Sequence, residues 1–161
     1  MSQTAEHNDE YVQLASFFVG GEEFVVDILE LREIVRPLPV TKVPSADHFI
    51  EGAINLRGEV IPIVNMRKRF GMPPRPADKE NRIVNMMVDG TVLGLVVDSI
   101  GKVRRIRMSQ VEPAPAVVAS VDSKYIKGIV NLDGTILIAL NVAELFSEEN
   151  LEALRAVGET A

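Results

Sequence analysis

Short apolar and β-branched runs recur down the chain, and four of the breaks between them are residue pairs ending in glycine: Gly20-Gly21, Arg57-Gly58, Asp89-Gly90 and Asp133-Gly134. Two-residue hairpin turns need left-handed backbone at both central positions, and glycine adopts it without steric cost. Asp-Gly is the strongest of these signals. Arg-Gly is weaker, because an arginine at positive φ is strained. The pattern predicts strands over 13–19, 23–28, 51–56, 59–64, 83–88, 91–98, 101–107, 126–132 and 135–140. Strands so closely spaced, with turn residues between them, predict small barrels or a sandwich.

Helical spacing is confined to short stretches. Ile28, Leu31, Ile34 and Val35 fall on one face of a helix over Asp27–Val35. Asn65 and Asn141 stand where N-caps are expected, before 66–70 and 142–146, with Gly71 as a C-cap for the first. Ser147 can cap a last helix over 148–157, with Leu151, Leu154 and Val157 at core spacing. Pro73, Pro74 and Pro76 mark a stiff connector, and Pro113-Ala114-Pro115 a second loop.

The chain repeats itself. Ile50, Gly52, Asn55, Leu56, Gly58, Ile61, Asn65 and Phe70 recur as Ile126, Gly128, Asn131, Leu132, Gly134, Leu137, Asn141 and Phe146, at a constant offset of 76 and with one substitution among the eight. Phe24-Val25-Val26-Asp27 similarly matches Leu95-Val96-Val97-Asp98 at an offset of 71. Two copies of one supersecondary unit are implied. They predict two five-stranded barrels in tandem, with approximate lobes 11–75 and 82–150, a flexible tail over 1–10 and strand exchange between lobes left open.

Composition narrows the function. The 161 residues are 47% hydrophobic and 25% charged, a globular balance with ample core. The absence of cysteine excludes disulfides and thiolate metal sites. No apolar run reaches the roughly 18–20 residues of a membrane span, and residues 1–10 lack the order of a signal peptide, so a cytoplasmic protein is expected. Charge is segregated: eight acids against Arg32 give −7 over residues 1–33, while Arg82, Lys102, Arg104, Arg105 and Arg107 against Asp89 and Asp98 give +3 over 82–107. Such a dipolar molecule suits docking to charged protein partners.

Catalytic chemistry finds little purchase. His7 lies in the expected tail and His48 in a turn, and no nucleophile elbow, phosphate loop or dinucleotide fingerprint is present. The acidic pairs Glu22-Glu23 and Glu148-Glu149 sit in turn or helix-start contexts, without metal-ligand spacing. Arg67-Lys68-Arg69 and Arg104-Arg105-x-Arg107 could bind RNA, but no aromatic interleaves with them in sequence and the net charge of −6 opposes it. A single-strand-binding barrel and a small hydrolase are therefore the weaker alternatives to an interaction protein. Arg57 at one hairpin tip, where the other copy has Asp133, and Glu33 in an otherwise apolar segment are the singular charges; an ion pair between Arg57 and Glu33 is feasible.

The residues Glu22-Glu-Phe-Val-Val-Asp27-Ile28, Arg32-Glu33-Ile34, Phe49-Ile-Glu-Gly52-Ala-Ile-Asn55-Leu-Arg57-Gly58 and Pro62-Ile-Val64, followed in order by Gly94-Leu-Val-Val-Asp98, Pro113-Ala-Pro115 and Tyr125-Ile-Lys-Gly128, resemble the CheW-like family of chemotaxis coupling proteins over roughly 11–150. That resemblance implies an all-β fold of two SH3-like five-stranded barrels with short helices and a C-terminal helix. It implies a non-enzymatic adaptor, without cofactor, joining the cytoplasmic tips of chemoreceptors to the regulatory domain of the histidine kinase CheA, with self-association in ring-like arrays at the membrane. Neither nucleic acid nor membrane insertion belongs to that role. By the same resemblance Glu33, Gly52, Arg57 and Gly58 fall at receptor- and kinase-coupling positions. Leu31, Ile34 and Val103 fall in an apolar groove between lobes that takes a receptor tip. Glu112 to Val117 match a second kinase contact, though Glu112 and Val117 stand where some relatives carry a basic residue and an aromatic.

Overall fold

The computed structural model describes residues 10–44, 47–115, 117–118 and 121–160, with the side chains of residues 117, 118, 159 and 160 outside that description. Its strands are β1 (Tyr11–Val19), β2 (Glu22–Asp27), β3 (Leu31–Val35), β4 (Ile50–Leu56), β5 (Glu59–Asn65), β6 (Arg82–Val88), β7 (Thr91–Val97), β8 (Ser99–Arg107), β9 (Val111–Glu112), β10 (Val117–Val118), β11 (Val121–Asp122), β12 (Ile126–Leu132) and β13 (Thr135–Leu140). Two α-helices accompany them, α1 (Met66–Arg69) and α2 (Glu148–Thr160). All four glycine-ended pairs make two-residue hairpins with both residues at positive φ, including Arg57 at 53° and Asp133 at 51°.

The segment Asp27–Val35 is not the helix its spacing suggests. The Asp27 carboxylate accepts the Leu29 N–H at 2.9 Å and closes one 3-10 turn, Ile28–Glu30. Beyond it, Leu31–Val35 pairs antiparallel with β6, Ile34 opposite Val84 and Val35 opposite Ile83. The strand sends Ile34 to the inter-sheet side and Val35 into the barrel, where a helix would put both on one face, and the β-branched pair favours the strand. Asn65 caps α1 by accepting the Lys68 N–H at 3.1 Å, and Gly71 at φ 72° ends it, with Gly71 N–H donating to Lys68 and Met72 N–H to Arg67. Asn141 makes no such side-chain cap, and the chain after it is a 3-10 turn, Val142–Leu145.

The sheets do not divide at the proline-rich connector. One sheet has the order β8-β1-β2-β13-β12-β9, the other β3-β6-β7-β5-β4, and β10 pairs with β11. The β1–β2 hairpin of the first copy thus lies between β8 and β13 of the second, and the β6–β7 hairpin of the second lies between β3 and β5 of the first. The joins to β13 and β5 are parallel. The lobes expected at 11–75 and 82–150 are therefore corrected: each barrel borrows its first hairpin from the other half.

Three apolar clusters follow from this exchange. Ile54, Ile61, Ile63 and Ile83 fill the five-stranded barrel, and Leu14, Val25, Ile106, Val130 and Leu137 fill the six-stranded one. The largest cluster lies between the sheets and takes Phe17, Phe24 and Val26 from one and Val64, Met86 and Leu95 from the other. Helix α2 adds Leu151, Leu154 and Val157 to it. Ser147 and Asn150 cap that helix reciprocally at 3.0 Å, and Arg155 reaches Thr91 of the first barrel. The C-terminal helix, expected over 148–157, runs on to residue 160 and seals the first barrel against the shared core.

Candidate functional site

Arg57 and Gly58 form the tip of the β4–β5 hairpin, where the Asn55 side chain accepts the Gly58 N–H at 3.0 Å. Asn131 and Gly134 repeat that bond at 3.0 Å in the second copy. The repeated Asn-Leu-x-Gly motif is therefore a turn-closing device, and the residue between is free to differ. Arg57 uses that freedom to hold Glu33 of β3. Alongside, Arg32 of β3 meets Glu59 of β5 at 3.1 Å. Since β3 and β4 are the two edges of the five-stranded sheet, these crossed pairs lie over the seam where the barrel closes.

Gly52 belongs to the same hairpin but acts through the backbone. It sits at φ +140° in a bulge of β4, and a Cβ there would lie 2.1 Å from the Thr41 carbonyl oxygen. Thr41 and Ala53 exchange both backbone hydrogen bonds, at 2.8 and 2.9 Å, so the chain between β3 and β4 is strapped to the edge strand at this point. Gly128 repeats the bulge and the close approach, 2.6 Å from the Glu112 carbonyl.

Leu31, Ile34 and Val103 come from different sheets but share an orientation. Ile34 and Leu31 pair with Val84 and Met86, and Val103 pairs with Ala15, all members of the shared core. Cross-strand partners lie on one face, so the three point to the inter-sheet side, from the edge strands β3 and β8. Leu31 packs against the core, while Ile34 and Val103 remain 37% and 59% exposed.

Sequence spacing missed Leu29, which is 89% exposed on the single turn before β3. It lines a cleft of about 470 Å³ with Tyr11, Gln13 and Arg105. The available signal was Asp27 two positions earlier, an Asx cap that halts a helix after one turn, as Asp122 does before Lys124. Spacing also separated Arg105 and Arg107 from any aromatic, yet β1–β8 pairing stacks both on Tyr11, at 4.2 and 4.6 Å. Glu112 is exposed on β9 opposite Ile129, and Val117 lies on β10, its side chain outside the described residues.

The other basic cluster is internal scaffolding. Arg67 binds the Asp98 carboxylate through two nitrogens, at 2.9 and 2.7 Å, and the Gly20 N–H donates to the same carboxylate at 2.8 Å. Burial pushes the Asp98 carboxyl up, but these hydrogen bonds and the charges of Arg67 and Arg75 outweigh it and hold the group below the usual carboxylate range. Arg69 donates to the Leu145 carbonyl at 2.6 Å and to the Tyr125 hydroxyl at 2.9 Å, with its guanidinium over Phe49 and Tyr125. Both arginines thus pin the first copy to the second.

Comparison with known proteins agrees with this architecture. The family model described as CheW-like domain matches residues 13–150. Chemotaxis protein CheW of Treponema pallidum is 34% identical over 151 residues, covering 91% of this chain and 89% of its own. Chemotaxis protein CheW of Klebsiella aerogenes is 30% identical over 135 residues, covering 84% and 81%. The crystal structure of the scaffolding protein TtCheW from Thermoanaerobacter tengcongensis superposes with a TM-score of 0.81 at 33% identity, over 88% of this chain and 96% of that one. With the exchanged barrels, the repeated turn motif and this match over most of its length, the chain belongs to the CheW-like domain family.

Proposed function

We propose that the chain is a non-enzymatic chemotaxis adaptor that couples chemoreceptors to the histidine kinase CheA. What supports the reading is the set Leu31, Ile34 and Val103, apolar residues on two edge strands turned to the inter-sheet side, which we read as the walls of a groove. A helical receptor tip supplies apolar anchors for such a groove. A second surface, the Arg57–Glu33 tip with Gly58, offers charge to the kinase regulatory domain, with Gly52 holding the hairpin in place. Glu112 and Val117 mark a further contact on the opposite barrel, suited to the kinase or to another copy of the chain in a ring. The shared core fixes these surfaces relative to one another, which a coupler needs. Each contact can be weak, because an array supplies high effective concentration.

The test is to mix the protein with a chemoreceptor signalling domain and CheA and to measure kinase autophosphorylation. The expected result is concentration-dependent stimulation by the wild-type chain. A folded protein that leaves a receptor-responsive kinase unchanged overturns the reading.

A further inference from the structure

Asn85 is the anomaly of the first barrel. Its side chain is fully buried on β6, and among the described residues neither its amide nitrogen nor its amide oxygen has a hydrogen-bond partner. Native proteins rarely leave a buried amide unsatisfied, and the exceptions call for a specific cause. The hairpin turns stand 69 residues apart, so the corresponding position in the other barrel is Ser16, a buried residue whose hydroxyl does find a partner, Glu23. Gly94 on β7 lies beside the Asn85 oxygen, and a Cβ at position 94 would come within 3.0 Å of it.

The residue directly opposite Asn85 on β3 is Glu33. Facing residues of an antiparallel pair hold their Cβ atoms about 4.5–5.5 Å apart on the same side of the sheet. The Glu33 carboxylate now points to Arg57, at the rim of the barrel. We propose that Asn85 is a positioning residue that serves as the inward partner of Glu33: when Arg57 is taken by a carboxylate on the kinase, Glu33 turns to the Asn85 amide and accepts its N–H. The outward state leaves the amide unsatisfied but keeps the carboxylate hydrated and paired. The inward state satisfies the amide nitrogen with a charge-assisted bond. Removing Arg57 from Glu33 tips the balance, so kinase contact at the tip is transmitted to the interior of the barrel. This inference rests on the adaptor reading, and names the device by which the tip acts.

Two experiments test it. In Arg57→Gln, a crystal structure or side-chain amide NMR should place the Glu33 carboxylate within hydrogen-bond distance of the Asn85 nitrogen, with its amide protons shifted and protected from exchange. Glu33 left in solvent, with the Asn85 amide unmoved or holding only a water, overturns the proposal without touching the adaptor reading. Asn85→Leu should raise the melting temperature by about 2–4 °C and lower kinase stimulation at least threefold. Stimulation equal to wild type in a folded Asn85→Leu protein sinks the inference, whereas a wild-type protein that never stimulates sinks the adaptor reading itself.

Discussion

Arg57, on a hairpin tip, reaches across the closing seam of the first barrel to hold Glu33 on the far edge strand. The Arg57 side chain is 68% exposed, so solvent screens the pair and its contribution to stability is about 0.5 kcal/mol or less. Its value lies in where it puts two opposite charges.

Arg57→Glu is therefore expected to lose most kinase stimulation while its melting temperature changes by about 2 °C or less. The exchanged double variant, Glu33→Arg with Arg57→Glu, re-forms the pair with reversed polarity. It should recover stability but not stimulation, because a partner reads each sign at its own position. Recovery of both would reduce the two residues to a structural pair.

Gly52→Asp should unfold the first barrel rather than disable a contact. A side chain there meets the Thr41 carbonyl at 2.1 Å on a backbone at φ +140°, and the loss is expected to exceed about 3 kcal/mol. Gly58→Ala meets open space at φ 84° and should cost about 1 kcal/mol. Circular dichroism with urea titration ranks the two.

Val103→Glu places a charge on an exposed edge-strand position of the groove. Stability should stay within about 0.5 kcal/mol of wild type, while binding to a receptor signalling domain, followed by calorimetry, should fall at least tenfold. Unchanged binding would remove Val103 from the groove.

Acid should loosen the join between the copies. The Asp98 pKa is lowered in the folded state, so its contribution is complete above the unfolded value of about 3.9 and is lost as pH falls through the folded value. Asp98→Asn should lose about 2–3 kcal/mol at pH 7 by leaving Arg67 without its carboxylate. Its stability should then fall less than that of wild type between pH 4 and pH 2. Parallel unfolding curves across that range would contradict the assignment.

Chains cut between residues 73 and 76 should give two pieces that fail to fold alone and regain β-sheet circular dichroism when mixed, because β2 needs β13 and β5 needs β7. Independent folding of either piece would contradict the exchange.

Much of this was legible in sequence. Turn pairs and β-branched runs located the hairpins to within a residue or two, and the 76-residue offset found the repeat, because both report local geometry. The offset could not say which copy completes which barrel: Phe24 pairs with Ile138, and nothing near either residue records it. Leu31 and Ile34 do share a face, but Val35 turns the other way, into the barrel, and the element is a strand, since a capped turn followed by a bulged strand imitates helical spacing. The resemblance implied a coupling role for Gly52, and the backbone shows its close contact with Thr41, eleven positions earlier, which no local pattern signals. Asn85 carried no sequence signal, and Asp98 showed only as a repeat and family position without its role, because burial and partners define both.

The exchanged hairpins also set a timetable for synthesis. Phe24 leaves the ribosome 114 residues before its neighbour Ile138 (138 − 24 = 114), a wait of about 6–23 s at typical elongation rates. Through that interval the β1–β2 hairpin carries an open edge and the stacked rings of Phe17 and Phe24, while the other barrel has all its strands once β7 ends at Val97. A protein built this way has no folded intermediate at half length, and nascent-chain chaperones would find their substrate in its first hairpin.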